Sequence, residues 1–251
     1  MNSLTALLAA VVGYLIGSIS PARVITARVA PQQDITKLVV EGVDGGGRFE
    51  SDSVSSGSVR LHLGNRYGCL VGVLDILKGA IPTLILKWWL PDQPYHLLAA
   101  GMVVVGHNWP LYYGFKGGRG VSPSLGAMLV IDPLGVVVTN ILGLASDLFI
   151  RLPLLSSGVW LELMVPWTWI VGRSWLERLY VLAMALIYSV SIVPEVREVI
   201  RLKREGNLEA LQTARELRVS SRVDGGTAIQ ASVPDLISDL LAKLKRENPG
   251  P

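Results

Sequence analysis

The most chemically suggestive run in the chain is Gly106-His107-Asn108-Trp109-Pro110, a polar interruption in apolar sequence, followed closely by Lys116-Gly117-Gly118-Arg119-Gly120. Glycines there permit close backbone approach, so several N–H groups can converge on an anion. Lys116 and Arg119 would add charge-assisted hydrogen bonds to phosphate, and the apolar segment from Val121 would begin as a helix with its positive dipole end at the same place. His107 is suited to donate to phosphate or to act as acid or base near neutral pH, or it only caps carbonyls at a helix break. A flexible basic loop obeying the positive-inside rule explains the same letters. Upstream, Asp75 and Lys78 sit inside an apolar run three positions apart, neighbours on one helical face. An ion pair at that depth must face protein or water, either as part of a site or as a clasp between helices.

The elements that carry these residues belong to a membrane protein. Half of the 251 residues are hydrophobic, only 17% are charged, and the mean hydropathy is +0.45. A soluble domain carries about 25% charged residues, so much of this surface faces lipid. One cysteine, Cys69, excludes an intramolecular disulfide, and three scattered histidines give no metal-ligand cluster. Basic and acidic residues interleave without an aromatic-studded basic stripe, which argues against nucleic acid. No metal or cofactor is expected.

Apolar runs at Leu4–Ile19, Tyr67–Leu90, Leu97–Tyr113, Val121–Ile131, Leu134–Ile150, Leu154–Val171 and Trp175–Val193 predict an all-α polytopic fold of about seven transmembrane helices, some short or re-entrant. The first run lacks a basic flank and a small-residue cleavage site, so it reads as a membrane helix instead of a signal peptide. Residues 21–66 read as loop, and Asp132-Pro133 as a tight reversal. The tryptophans read as interfacial belt residues. Past Pro194, ten basic and nine acidic residues mark a hydrophilic tail. The chain therefore divides into a membrane domain over 1–194 and a soluble helical tail over 195–251. Arg23, Arg28, Lys37, Arg48, Arg60, Arg66, Lys116, Arg119 and Arg151 fall on one side of such a topology, which puts the N-terminus outside and the tail in the cytoplasm.

The stretch from Gly106 to Gly126, G-H-N-W-P-L-Y-Y-G-F-K-G-G-R-G-V-S-P-S-L-G, resembles the second signature of bacterial acyl-phosphate:glycerol-3-phosphate acyltransferases, with Arg119 in place of a lysine and Ser122-Pro123 in place of Ala-Thr. Y-L-I-G-S-I-S at Tyr14–Ser20 and L-D-I-L-K-G-A-I-P at Leu74–Pro82 resemble two further family segments in the same order. The resemblance implies a multi-span fold in the bacterial inner membrane. It also implies transfer of an acyl group from acyl phosphate to glycerol 3-phosphate, giving lysophosphatidic acid for phospholipid synthesis. Acyl phosphate is an activated mixed anhydride, so the site must mainly hold two anions together and orient a hydroxyl.

Under that resemblance Lys116, Gly117, Gly118, Arg119 and Gly120 bind one phosphate. Arg48, Ser51, Ser53 and Arg60 help bind the other, while His107, Asn108, Asp75 and Lys78 orient the reacting groups. Two family patterns are altered. The first signature, expected after Asp34-Ile35-Thr36-Lys37, is replaced by the glycine- and serine-rich stretch Gly42–Arg60, which as a polar linker would read the same. In the third, Glu195 and Glu198 stand where the family has histidine and asparagine, while Arg201-Leu202 fit. The alternatives are an altered relative that binds a phosphorylated lipid or a protein partner, and a small anion transporter. An enzyme should bring the 42–60 segment against Lys116 and Arg119.

Overall fold

The computed structural model describes residues 2–36, 38–41, 48–51, 53–150 and 158–206, with the side chains of 38–41, 48–51 and 146–150 left undescribed. Each of the seven apolar runs becomes a helix: α1 (Ser3–Ser18), α4 (Asn65–Trp89), α5 (Tyr95–Asn108), α6 (Val121–Ile131), α7 (Pro133–Ile150), α8 (Val159–Ile170) and α9 (Trp175–Arg204). Among the described residues three stretches are long and apolar enough to cross a membrane alone, Ser3–Val29, Asn65–Trp89 and Trp175–Arg204. α5, α6 and α8 are shorter than the ~20 residues a full crossing takes, and they pack among neighbours.

Lipid-facing and buried surfaces separate cleanly. Leu4, Leu7 and Leu8 on α1, Ile81 and Leu84 on α4, and Leu182, Leu186 and Val190 on α9 are exposed. Met128, Leu161, Met164 and Val181 are buried in the core between α5, α6, α8 and α9. Trp88, Trp89, Trp169 and Trp175 are exposed near helix ends as belt residues should be, but Trp160 is a core residue. Small residues set the closest helix contacts, since lipid supplies no hydrophobic drive between helices. A Cβ at Gly17 would lie 2.1 Å from the Val103 carbonyl oxygen where α1 meets α5, and one at Gly126 would lie 1.9 Å from that of Ile76 where α6 meets α4.

The polar stretch read as loop folds in part. Ser20 accepts from Arg23 N–H and Pro21 occupies the first turn, which starts α2 (Pro21–Val29). Ser55 accepts from Ser58 N–H and starts α3 (Ser56–Leu63). Between them β1 (Leu38–Glu41) and β2 (Arg48–Ser51) pair antiparallel, Leu38 opposite Ser51 and Glu41 opposite Arg48, the one departure from all-helical structure among the described residues. Hydropathy reports only affinity for lipid, so these caps and the hairpin escaped it. Lys37, residues 42–47 and 52, Arg151 and the tail from Asn207 lie outside the described residues.

The reversal at Asp132-Pro133 is a clasp. Asp132 Oδ1 accepts Gly135 N–H at 3.0 Å and so caps α7, and Oδ2 accepts Trp167 Nε1–H at 2.9 Å. Arg173, in the turn between α8 and α9, reaches Oδ1 with Nη2 at 2.7 Å and Oδ2 with Nε at 3.1 Å. Burial alone would raise the Asp132 pKa, but these donors outweigh it and hold the carboxyl below its ordinary 3.8. A depressed carboxylate stabilises the fold fully above its unfolded pKa, and that stabilisation is lost as pH falls through the folded value. Melting curves in detergent should therefore drop below about pH 4 for the wild type and drop less for Asp132→Asn, which starts lower at pH 7. Parallel pH profiles would take Asp132 out of the acid response.

Candidate functional site

Three helices meet at a buried polar centre. Lys78 Nζ lies 2.8 Å from Asp75 Oδ1, and it donates to the carbonyls of Gly17 at 3.3 Å and Ile19 at 3.0 Å. Those carbonyls end α1, where a cation complements the helix dipole. Nζ also lies 2.8 Å from His107 Nδ1, which is 3.5 Å from Asp75 Oδ1. With the ammonium as donor, Nδ1 accepts, which places the ring proton on Nε2. The i,i+3 pairing of Asp75 and Lys78 was legible in the sequence, whereas the arrival of His107 from α5 and of two α1 carbonyls is a product of packing.

The glycine loop is laid on top of this centre. α5 ends at Asn108, and the chain turns through Phe115, whose φ of 61° is left-handed. Gly118 N–H donates to the His107 carbonyl at 3.0 Å. A Cβ on Gly117 would lie 2.1 Å from that carbonyl oxygen, and a Cβ on Gly118 would lie 2.2 Å from His107 Nε2. The two glycines are thus explained first by close seating on His107, and the Gly118 amide serves the loop instead of facing an anion. Gly120, at φ 75°, opens α6 against the Asn108 side chain.

Other segments hold the loop in place. Arg23 Nη2 donates to the Lys116 carbonyl at 3.0 Å, and its guanidinium lies 4.9 Å from the Tyr113 ring centre. Tyr14 Oη donates to the Trp109 carbonyl at 2.9 Å, and Ser18 Oγ accepts Leu111 N–H at 3.2 Å. Val54 N–H donates to the Gly117 carbonyl at 3.2 Å, so the 42–60 segment does reach the glycine loop.

A cavity of about 220 Å³ opens beside the loop, walled by Asn108, Lys116, Gly117, Gly118, Arg119 and Ser191 among others. Pockets for drug-sized ligands run about 300–1,000 Å³, so this one suits a small molecule, and Trp109, Phe115, Val190 and Pro194 complete its wall. Asn108 is 4% exposed, and both its amide oxygen and nitrogen are buried without a hydrogen-bond partner among the described residues. Such a group costs about 1–3 kcal/mol, which a ligand hydroxyl would recover. Lys116 is exposed. Arg119 is ion-paired with Glu195 and donates to the Ser191 carbonyl.

The structure therefore brings together Asp75, Lys78, His107, Asn108, Lys116, Gly117, Gly118, Arg119 and Gly120. Ser53, half-buried, adjoins Val54 at the loop. Arg60 points elsewhere, its Nη2 donating to Cys69 Sγ at 3.7 Å across α3 and α4. Arg48 and Ser51 lie on β2, which runs beside α9, and their side chains are outside the described ones. Sequence reasoning missed Arg23 and Ser191 and assigned Glu195 to the tail. The helix does not stop at Pro194 but continues to Arg204. Pro194 cannot serve the Val190 carbonyl, and Arg119 buttresses the next one at Ser191.

A family model described as glycerol-3-phosphate acyltransferase matches residues 7–205. The glycerol-3-phosphate acyltransferase of Clostridioides difficile (strain 630) is 35% identical over 139 residues, which are 53% of this chain and 62% of that protein. Glycerol-3-phosphate acyltransferase 1 of Dehalococcoides mccartyi is 28% identical over 196 residues, 76% of this chain and 88% of the relative. This chain thus spans less than two thirds of the first relative and most of the second. A crystal structure of PlsY (YgiH), an integral membrane glycerol 3-phosphate acyltransferase in its glycerol 3-phosphate form, superposes with a TM-score of 0.66 at 25% identity, covering 78% of this chain and 92% of that one. The lysophosphatidic acid form of the same protein gives 0.65 and 26%, covering 82% and 98%. With its crossing-length helices, the chain is an integral, multi-pass membrane protein.

Proposed function

The chain belongs to the glycerol-3-phosphate acyltransferase family, and from that premise we propose that it transfers an acyl group from acyl phosphate to glycerol 3-phosphate, giving lysophosphatidic acid, at the cavity beside the glycine loop. The observation that carries this reading is the convergence of two separated segments, Asn108–Arg119 and Val190–Pro194, on one small cavity, with a third segment tied to its wall where Val54 N–H donates to the Gly117 carbonyl. In the reaction the acceptor hydroxyl attacks the acyl carbonyl carbon, the bond from that carbon to the phosphate oxygen breaks, and the hydroxyl proton departs with the inorganic phosphate. No covalent enzyme intermediate is needed, because the anhydride is already activated and the chain's task is to align two anions.

Lys116 holds one phosphate by a charge-assisted contact, and the Asn108 amide orients the acceptor hydroxyls. Ser53, beside the Val54 contact, with Arg48 and Ser51 of the same segment, serves the second phosphate. His107, Asp75 and Lys78 act one layer deeper, as the bed on which the loop is seated. The positive-inside bias puts this face in the cytoplasm of a bacterial inner membrane, with the N-terminus outside. The cavity is too small for an acyl chain, which would lie along the apolar outer surface.

The direct test is acyl transfer by the purified protein in detergent with palmitoyl phosphate and labelled glycerol 3-phosphate, beside an acyl-CoA control. Product from the acyl phosphate alone is the expected result. No product from a folded protein would turn the reading toward a binding role for a phosphorylated lipid. Within an active enzyme, Lys116→Ala should cost about 10–100-fold in kcat/KM, mostly through KM for glycerol 3-phosphate, the worth of one hydrogen bond to a charged group. Unchanged kinetics would remove Lys116 from the phosphate site.

A further inference from the structure

A phosphate pocket with an acid built into its support needs a physical account. Glu195 is 5% exposed on α9, and its Oε1 is ion-paired with Nη2 of Arg119. Arg119 Nη1 donates to the Ser191 carbonyl, while Ser191 Oγ donates to the Tyr188 carbonyl at 2.7 Å and lies 3.4 Å from the Arg119 carbonyl. Arg119 and Lys116 are the two loop cations on the cavity wall. One of them is therefore already engaged by a carboxylate, and an entering phosphate must compete with that carboxylate for it.

The competition matters because every ligand of the proposed reaction carries a phosphate, the leaving product included. A pocket that presented two uncommitted cations would bind the product as strongly as the substrates and slow each turnover. We propose that Glu195 is a positioning residue that sets the phosphate affinity of this site. By fixing Arg119 against α9 it leaves Lys116 as the main phosphate contact and keeps the inorganic product releasable. The proposal rests on the reading of the cavity as the phosphate site of acyl transfer.

The test uses the full-length protein in detergent, with inorganic phosphate as the probe, followed by calorimetry and by inhibition of acyl transfer. Glu195→Gln should bind phosphate about tenfold tighter, since one charged donor is released to it. Its KM for glycerol 3-phosphate should fall, and its kcat should fall with slower phosphate release. Glu195→Asp should restore wild-type phosphate affinity to within about twofold. The double variant Arg119→Gln/Glu195→Gln, which keeps the net charge and leaves no buried ion alone, should also bind phosphate within about twofold of wild type.

Two results would overturn the proposal. One is a Glu195→Gln protein of lowered melting temperature whose phosphate affinity is unchanged, which is what a purely structural pair would give. The other, decisive even if that variant does not fold, is a double variant that loses phosphate binding, because Arg119 would then be a phosphate ligand in the wild type. Failure of the underlying reading looks different. Neither wild type nor variant would then bind phosphate, and wild type would make no product.

Discussion

Gly118→Ala is expected to lower kcat/KM for acyl transfer about 100-fold, because a shift of about 1 Å in a positioning loop has that cost. The added methyl carbon would lie 2.2 Å from His107 Nε2, and the histidine ring is 9% exposed with its other nitrogen tied to Lys78. The ring is fixed from behind and cannot yield, so the loop must lift. Lifting breaks the Gly118 N–H contact to the His107 carbonyl and moves Lys116 and Arg119 relative to Asn108. The comparison that isolates the cause is Gly114→Ala. Gly114, unlike Gly118, is left-handed, at φ 61°, but among the described residues nothing lies within 4 Å of its Cβ position. That change carries backbone strain of about 1 kcal/mol without a clash, and activity should fall only a few-fold. Equal losses at both positions would mean that general loop strain, not the seating on His107, governs the site.

Much of the frame was legible in the sequence for a physical reason: burial in lipid selects apolar runs directly. The run Val121–Ile131 became α6 with the same limits, and the spacing of Asp75 and Lys78 placed both on one face of α4. What hydropathy hid was everything decided by capping and by contacts between distant segments. Ser20-Pro21 and Ser55 carry recognisable helix-start signals, yet they lie in polar sequence where a search for spans does not look. Pro194 reads locally as a helix end, and only Arg119, brought from 75 residues earlier, shows why the helix continues past it. Glu195 was visible as a departure from the family pattern. Its burial against the loop was not, because the charge-rich sequence after Pro194 pulls the eye toward a solvated tail.

Asp75→Ala should be the most destabilising of the single changes, at about 3–5 kcal/mol, since it strands a buried ammonium. The stability that matters here is not that of the pair against water but of the frame that three helices share. Lys78 would keep only neutral acceptors, the carbonyls of Gly17 and Ile19 and the ring of His107. These acceptors carry no charge, so they do not replace the carboxylate as a counter-ion. Removing both charges in Asp75→Leu/Lys78→Met should therefore cost less than Asp75→Ala alone, a coupling that melting curves in detergent would measure as non-additivity. Additive losses would mean that the two residues act independently and that the centre is not a clasp. Activity supplies the second readout. Asp75→Ala leaves Lys78, the group behind the ring of His107, without its counter-ion, so it should lower both melting temperature and turnover, whereas Gly118→Ala should lower turnover while leaving the melting temperature within a few degrees. The two variants act on the two sides of one histidine, and their different signatures separate the bed of the site from the loop that rests on it.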